Sequence, residues 1–292
     1  MRVLITGAGG QLGKEACLGF AAKGDEVIPV GRAELDLSVP QAVADAVAAY
    51  KADWVVNCAA YTQVDKAESD AATAFRINRD GAEYLAQAVS RSGGRMLHVS
   101  TDYVFDGQQD WPYRETDVTK PKSVYGRSKL AGEQAVLAAL PAAIVLRTAW
   151  VYGVRGRNFV KTMLRLAATG QELRVVDDQK GTPTAAADIA QAIAGLTNCD
   201  TRGVFHFTAA GETTWYGFAV AILDEARQVG FRVRTQSIVP ISTAEYPVAA
   251  DRPAYSVLDT AKIQPCLDRP VPAWRDSLRI MLGELYTCAD CW

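Results

Sequence analysis

Short apolar runs rich in β-branched residues recur through the first half of the chain, at residues 2–6, 26–30, 54–58, 95–100 and 143–147. Between them, over 12–22, 40–50, 71–91 and 124–140, apolar side chains return every three or four positions. Runs with little polar alternation predict strands buried on both faces, and the intervening period predicts amphipathic helices. Repeated strand–helix units of this kind predict an α/β fold, a Rossmann-like doubly wound parallel sheet. Pro40 suits the first turn of the second helix, and Ser38 is expected to cap it.

Beyond residue 147 the pattern loosens. A helix is expected over 158–169, strands over 173–176 and 204–207, and a helix over 214–228. Proline marks loops at Thr182-Pro183-Thr184 and Asp251-Arg252-Pro253. The expected division is a dinucleotide-binding domain over 1–150 and a smaller, interleaved α/β substrate lobe over 151–292, with some segments returning to the first domain.

Composition narrows the class of partner. The 292 residues are 49% hydrophobic and 22% charged, the balance of a packed globular protein. A formal net charge of −2 gives no field for a nucleic-acid backbone or an anionic membrane surface. No apolar run approaches the ~20 residues a membrane span needs. The first residues lead straight into glycines without a signal-peptide core, so a cytoplasmic location is expected. The six cysteines are scattered, which suggests reduced thiols. Cys17 and Cys58 read as core fillers, and the lone Cys288-x-x-Cys291 pair lacks the second pair of a zinc site. No metal ligand set is read from the sequence.

The first strand runs into Gly7-Ala-Gly-Gly10-Gln-Leu-Gly13 and then a helix. Glycines at such a turn let backbone approach a pyrophosphate, and the free amides and dipole of the helix start favour its charge. Gly7, Gly10 and Gly13 are therefore candidate cofactor contacts. Near the end of the second strand, where an acidic residue would hold a free ribose, stands Arg32, which suits a 2'-phosphate and favours NADP(H). Asp36 either contacts adenine or caps the next helix.

Tyr125-Gly-Arg-Ser-Lys129 opens the helix before the fifth strand, and i, i+4 spacing sets phenol and ammonium on one face. Lys129 is expected to draw the phenol below its usual range so that Tyr125 can move a proton. Upstream, His98-Val-Ser-Thr101-Asp102 ends the fourth strand, at the sheet edge where α/β ligands gather. Thr101 can hydrogen-bond a substrate carbonyl that Tyr125 protonates; the competing reading is a local polar turn. His98 and His206, the only histidines, lie in apolar runs and read as satisfied core residues. Gly126-Arg-Ser128-Lys-Leu130 lacks the last glycine of a nucleophile elbow, so a hydrolase is not expected.

With those motifs stand narrower stretches: residues 57–68, 99–106, 147–153, 158–164 and 178–184. Together they resemble the extended short-chain dehydrogenase/reductases, and among these the dTDP-4-dehydrorhamnose reductase family, over roughly residues 1–220. The resemblance implies that Gly10, Gln11, Leu12, Asp36, Leu37, Ala60, Tyr61, Thr62, Val99, Tyr125 and Lys129 line the cofactor, and that Thr101, Asp102 and Trp150 face a dTDP-sugar substrate. Trp150 reads equally as a sugar platform or a core residue. Asn158, with Lys161 and Arg165 on a nearby helix face, is within reach of a diphosphate. The implied reaction reduces the C4 ketone of dTDP-4-dehydro-L-rhamnose to dTDP-L-rhamnose, the last step of that donor's synthesis, with NADPH, or in some members NADH. Some members use Mg2+ in a homodimer, but no such site maps onto this sequence. Two competing readings are another nucleotide-4-ketosugar reductase or epimerase, and a non-catalytic NADP-binding regulatory subunit. Only the enzymes need the Tyr125/Lys129 pair.

Overall fold

The computed structural model describes residues 1–288. Six strands form one parallel sheet: Arg2–Thr6 (β1), Glu26–Val30 (β2), Trp54–Asn57 (β3), Arg95–Thr101 (β4), Ile144–Thr148 (β5) and Gly203–His206 (β6). Their order is β2-β1-β3-β4-β5-β6, so the sheet winds in opposite directions from β1 and β3. That reversal opens a crevice beyond the carboxyl ends of these two strands. Register is fixed by pairs such as Val3 with Trp54 and Leu97 with Ile144.

Burial on both faces explains the apolar runs. Val3 and Ile5 of β1 and Val56 of β3 meet Leu12, Ala16 and Phe20 of α1 (Gln11–Ala22) and Ile189 and Ile193 of α6 (Ala186–Asn198). Leu4, Val55 and Met96, the alternate strand positions, meet α2 (Pro40–Tyr50), α3 (Ala82–Ser92) and α4 (Val124–Ala139) through Val43, Leu85 and Val136. Each such side chain contributes roughly 1.5–3 kcal/mol by leaving water. A second cluster joins α5 (Phe159–Ala167), α7 (Trp215–Val229) and α8 (Trp274–Thr287) over a parallel pair, Leu173–Val176 with Ile238–Ile241.

Three local expectations are corrected. The strand expected over 54–58 ends at Asn57. The helix expected over 71–91 is broken into Ala71–Phe75, a π-helical turn Arg76–Gly81, and α3. Gly132 of α4 packs against the Asn78 carbonyl so closely that a Cβ would collide with it. Ser38 does not cap α2: its amide and hydroxyl both donate to Asp36 Oδ1, at 2.9 and 2.7 Å, and Val39 is the N-cap with Pro40 in the first turn.

Among the described residues no helix is long and apolar enough to cross a membrane. Cys17, Cys58, Cys199 and Cys266 are free thiols, and Cys17 and Cys58 border the core. The Cys288/Cys291 motif depends on a residue outside those described.

Candidate active site

The glycine loop lies in the crevice between β1 and β3. Gly7 has φ +67°, and a Cβ there would sit 2.7 Å from the Ala59 amide nitrogen. A Cβ on Gly13 would strike the Gly7 carbonyl, and one on Gly10 would come within 3.2 Å of it. The Gly10 amide donates to Gly7 O at 2.9 Å, and Gly10 caps α1 without a side-chain bond. The first amides of α1 have no intrahelical acceptor. Loop shape, glycine contacts and helix end together fit a diphosphate.

The other expected cofactor residues are spread around this loop. Gln11 Oε1 accepts from Asn158 Nδ2 at 2.9 Å, and Gly156 lies so close that a Cβ would be 2.6 Å from Gln11 Cγ. Asn158 also donates to Gly153 O and caps α5 through Lys161 N, so its carboxamide ties the second lobe to the loop. Leu12 turns into the core. Arg32 is exposed after β2, Asp36 holds Ser38, and Leu37 is buried, its Cβ 2.9 Å from where one on Gly81 would stand. The Ser38 bonds keep the Asp36 carboxyl below the usual carboxylate range. Ala60 is half-buried and Thr62 exposed. Tyr61 is anchored by Asn78, which accepts from its amide at 2.8 Å and donates to its carbonyl at 3.1 Å.

At the carboxyl end of β4, Thr101 Oγ1 donates to Asp102 Oδ1 at 2.9 Å and accepts the Tyr103 amide at 3.2 Å, the bonding of a local turn. The Tyr125 phenol lies on the Thr101 side of this turn. The Asp102 carboxyl is 2% exposed, its Oδ2 has no partner, and Thr148 Oγ1 on the paired strand end is equally orphaned. Two buried oxygens at one strand edge are thus left without a hydrogen-bond partner, with the Ser256 hydroxyl near the Asp102 carboxyl. Burial pushes Asp102 up to about 6 and Tyr125 up to about 12.

Ser123 caps α4 through Gly126 N at 3.1 Å, and Glu68 Oε1 takes the Val124 amide at 2.7 Å, which fixes the turn that carries Tyr125. Lys129, 2% exposed, donates to Val99 O at 2.7 Å. Desolvation lowers it to about 8. The expectation that Lys129 depresses the Tyr125 phenol is not met: the ammonium is turned to Val99, and burial together with the Asp102 charge raises the phenol instead.

Trp150 takes φ +46°, a conformation that strains a side chain of its size. Its indole stacks on Trp215 with centroids 3.5 Å apart and planes 5° off parallel.

Sequence reasoning missed several supports. Asn78 Nδ2 also reaches Ser128 Oγ at 2.9 Å, which joins the cofactor edge to α4. Arg252 binds Asp65 through two nitrogens, at 2.7 and 3.0 Å, and so clamps a C-terminal loop beside Tyr103. Under Lys129, Arg147 chelates Glu133 at 2.7 and 2.9 Å, both buried. The available signals were a charged pair and an asparagine inside otherwise apolar patterns. Among the described residues no group of three or more His, Cys, Asp or Glu is placed to hold a metal ion.

The profile of the RmlD substrate binding domain family matches residues 1–287. The chain belongs to the dTDP-4-dehydrorhamnose reductase family. A dTDP-4-dehydrorhamnose reductase of Burkholderia thailandensis is 44% identical, with 98% of this chain and 99% of that protein aligned. The crystal structure of a dTDP-4-dehydrorhamnose reductase from Clostridium acetobutylicum superposes with a TM-score of 0.93 at 40% identity, covering 98% of this chain and 100% of that one. That of the Bacillus anthracis reductase in complex with NADP gives 0.92 at 35% identity, covering 97% and 99%.

Proposed function

We propose that this chain reduces the C4 ketone of dTDP-4-dehydro-L-rhamnose to dTDP-L-rhamnose with NADPH. The observation that carries the reading is the meeting of Thr101, Asp102, Tyr125 and Lys129 at the strand edge beside a glycine cradle. Gly7, Gly10, Gly13 and the start of α1 would hold the diphosphate. Arg32, Asp36 and Leu37 would flank the adenosine, and Ala60, Tyr61, Thr62, Val99 and Lys129 the remainder of the dinucleotide. Bound NADPH supplies two electrons and one hydrogen.

The protein's part is to bind the ketone oxygen and deliver the proton. Thr101 and Tyr125 donate hydrogen bonds to that oxygen as charge develops on it, and Tyr125 gives up its proton to the resulting alkoxide. With its phenol raised, Tyr125 stays protonated at neutral pH until the alkoxide, a stronger base, forms. Once its ammonium turns from Val99, Lys129, lowered to about 8, can return a proton to the phenolate and recover one from solvent. The Asp102 carboxylate accepts a sugar hydroxyl, and Trp150 offers a flat apolar surface. The exposed Arg32 and the NADP complex of the Bacillus anthracis relative support a phosphorylated dinucleotide.

The test is the fall in nicotinamide absorbance with enzymatically generated dTDP-4-dehydro-L-rhamnose, with NADH and a GDP-linked 4-keto sugar as controls. Turnover with the dTDP sugar and NADPH is expected. Tight NADPH binding without turnover on either sugar would transfer the reading to a regulatory module.

A further inference from the structure

His98 lies fully buried on β4, one residue before Val99. Its Nδ1 is 2.9 Å from Asn57 Nδ2, and its Nε2 is 3.4 Å from Lys129 Nζ. The position of its proton follows from Asn57. The Asn57 carboxamide oxygen accepts the Ala59 backbone amide at 3.1 Å and the Thr6 hydroxyl at 2.7 Å. A backbone N–H can only donate, so a rotated carboxamide would set its own NH2 against that amide. Nδ2 therefore points at His98, Nδ1 accepts, and the proton of the neutral ring sits on Nε2, facing Lys129.

We propose that His98, locked by Asn57 and the Ala59 amide in its Nε2–H tautomer, is a positioning residue that turns an N–H toward Lys129 and favours the neutral amine of that lysine. An ammonium at Lys129 would meet donor against donor, whereas a neutral amine can accept the imidazole N–H. Two other titratable groups face Lys129: Glu133 on α4, whose charge favours the ammonium, and Cys58 after β3, whose thiol burial pushes up to about 12 and so keeps uncharged. The Glu133 carboxylate is already chelated by Arg147, while the neutral imidazole opposes it from β4. Burial holds His98 uncharged well below its ordinary range, so the ring keeps this single donor across neutral pH.

The inference rests on the reductase reading, because a lysine poised to give up its proton is what resets Tyr125. Its test does not need turnover. The chain has only two histidines, so a long-range 1H–15N spectrum of the wild-type protein, assigned with a His98→Gln variant, reads the tautomer directly. A protonated Nε2 and a bare Nδ1 are expected; a protonated Nδ1 overturns the proposal.

The Lys129 midpoint is then followed by the Cε shift of 13C-lysine protein. His98→Phe is expected to raise it by about half a pH unit or more, and His98→Gln, which keeps a donor, to hold it nearer the wild-type value. The alkaline limb of kcat/KM should move with the midpoint. An unmoved midpoint in folded His98→Phe overturns the proposal, and if that variant does not fold, the wild-type tautomer still decides. A wild type inert toward the dTDP sugar would instead refute the reductase reading and leave the tautomer and the midpoint unaffected.

Discussion

Replacing Asp102 by Asn removes a charge from a place that disfavours it. The carboxyl is 2% exposed, Oδ2 lacks a partner, and burial raises its pKa from 3.8 to about 6 despite nearby hydroxyl and amide donors. An acid whose pKa rises on folding binds its proton more tightly in the native state. It therefore withdraws stability as pH climbs from 3.8 to about 6, costs the full amount above that window, and costs nothing below it. A shift of about two units, at 1.36 kcal/mol each, amounts to roughly 3 kcal/mol. The Asn carboxamide keeps an oxygen for the Thr101 hydroxyl and changes little volume. Asp102→Asn is thus expected to exceed the wild type in stability by roughly 2–3 kcal/mol at about pH 8, with the gap closing as pH falls toward about 4. Urea unfolding followed by tryptophan fluorescence across that range measures it. A gap that does not change with pH, or a variant less stable at the alkaline end, would refute the argument from burial. The same variant is expected to raise KM for the dTDP sugar, since a site group held at a cost in stability is retained for binding.

Other perturbations follow from the same geometry. Arg147→Met strands the buried Glu133 carboxylate and should cost roughly 3–5 kcal/mol in urea unfolding, against near-neutrality if the pair were superficial. Gly13→Ala, favourable in most helices, should here cost roughly 1–3 kcal/mol because its methyl meets the Gly7 carbonyl, and calorimetry should show weaker NADPH binding. Arg32→Ala should weaken NADPH by about tenfold and leave NADH unchanged, the loss of one charge-assisted contact; equal losses would remove Arg32 from the 2'-phosphate.

What could be read in advance was local. The strands of the sheet were legible because a strand covered on both faces must be apolar at successive positions, as Val3, Leu4 and Ile5 are. The glycine loop and the Tyr125/Lys129 spacing were legible because each carries its geometry within a few residues. Features set by distant partners were not. The π-helical turn packs its Asn78 carbonyl against Gly132, far along the chain, and helical periodicity alone runs through 71–91 without a break. Ser38 has the chemistry of a cap, but Asp36 takes its hydroxyl first. Asn57 and His98 are 41 residues apart, and Asp65 and Arg252 are 187 apart, so neither pairing has a local signature. The strand Ile238–Ile241 is short and carries a proline, which hid it until its partner Leu173–Val176 was placed. The direction of the Tyr125 shift was misjudged because spacing on a helix face reports that Lys129 is near, not that its hydrogen points elsewhere.

In the proposed reaction Tyr125 delivers the proton to a dTDP-4-keto sugar. The most direct measurement of that role compares wild type with Tyr125→Phe, with NADPH oxidation on dTDP-4-dehydro-L-rhamnose and NADPH affinity by calorimetry measured on each protein. A loss of kcat by about 100-fold or more at unchanged NADPH affinity is expected, because the variant loses the acid and almost no surface. Turnover retained in Tyr125→Phe, or an equal loss of cofactor binding, would contradict it.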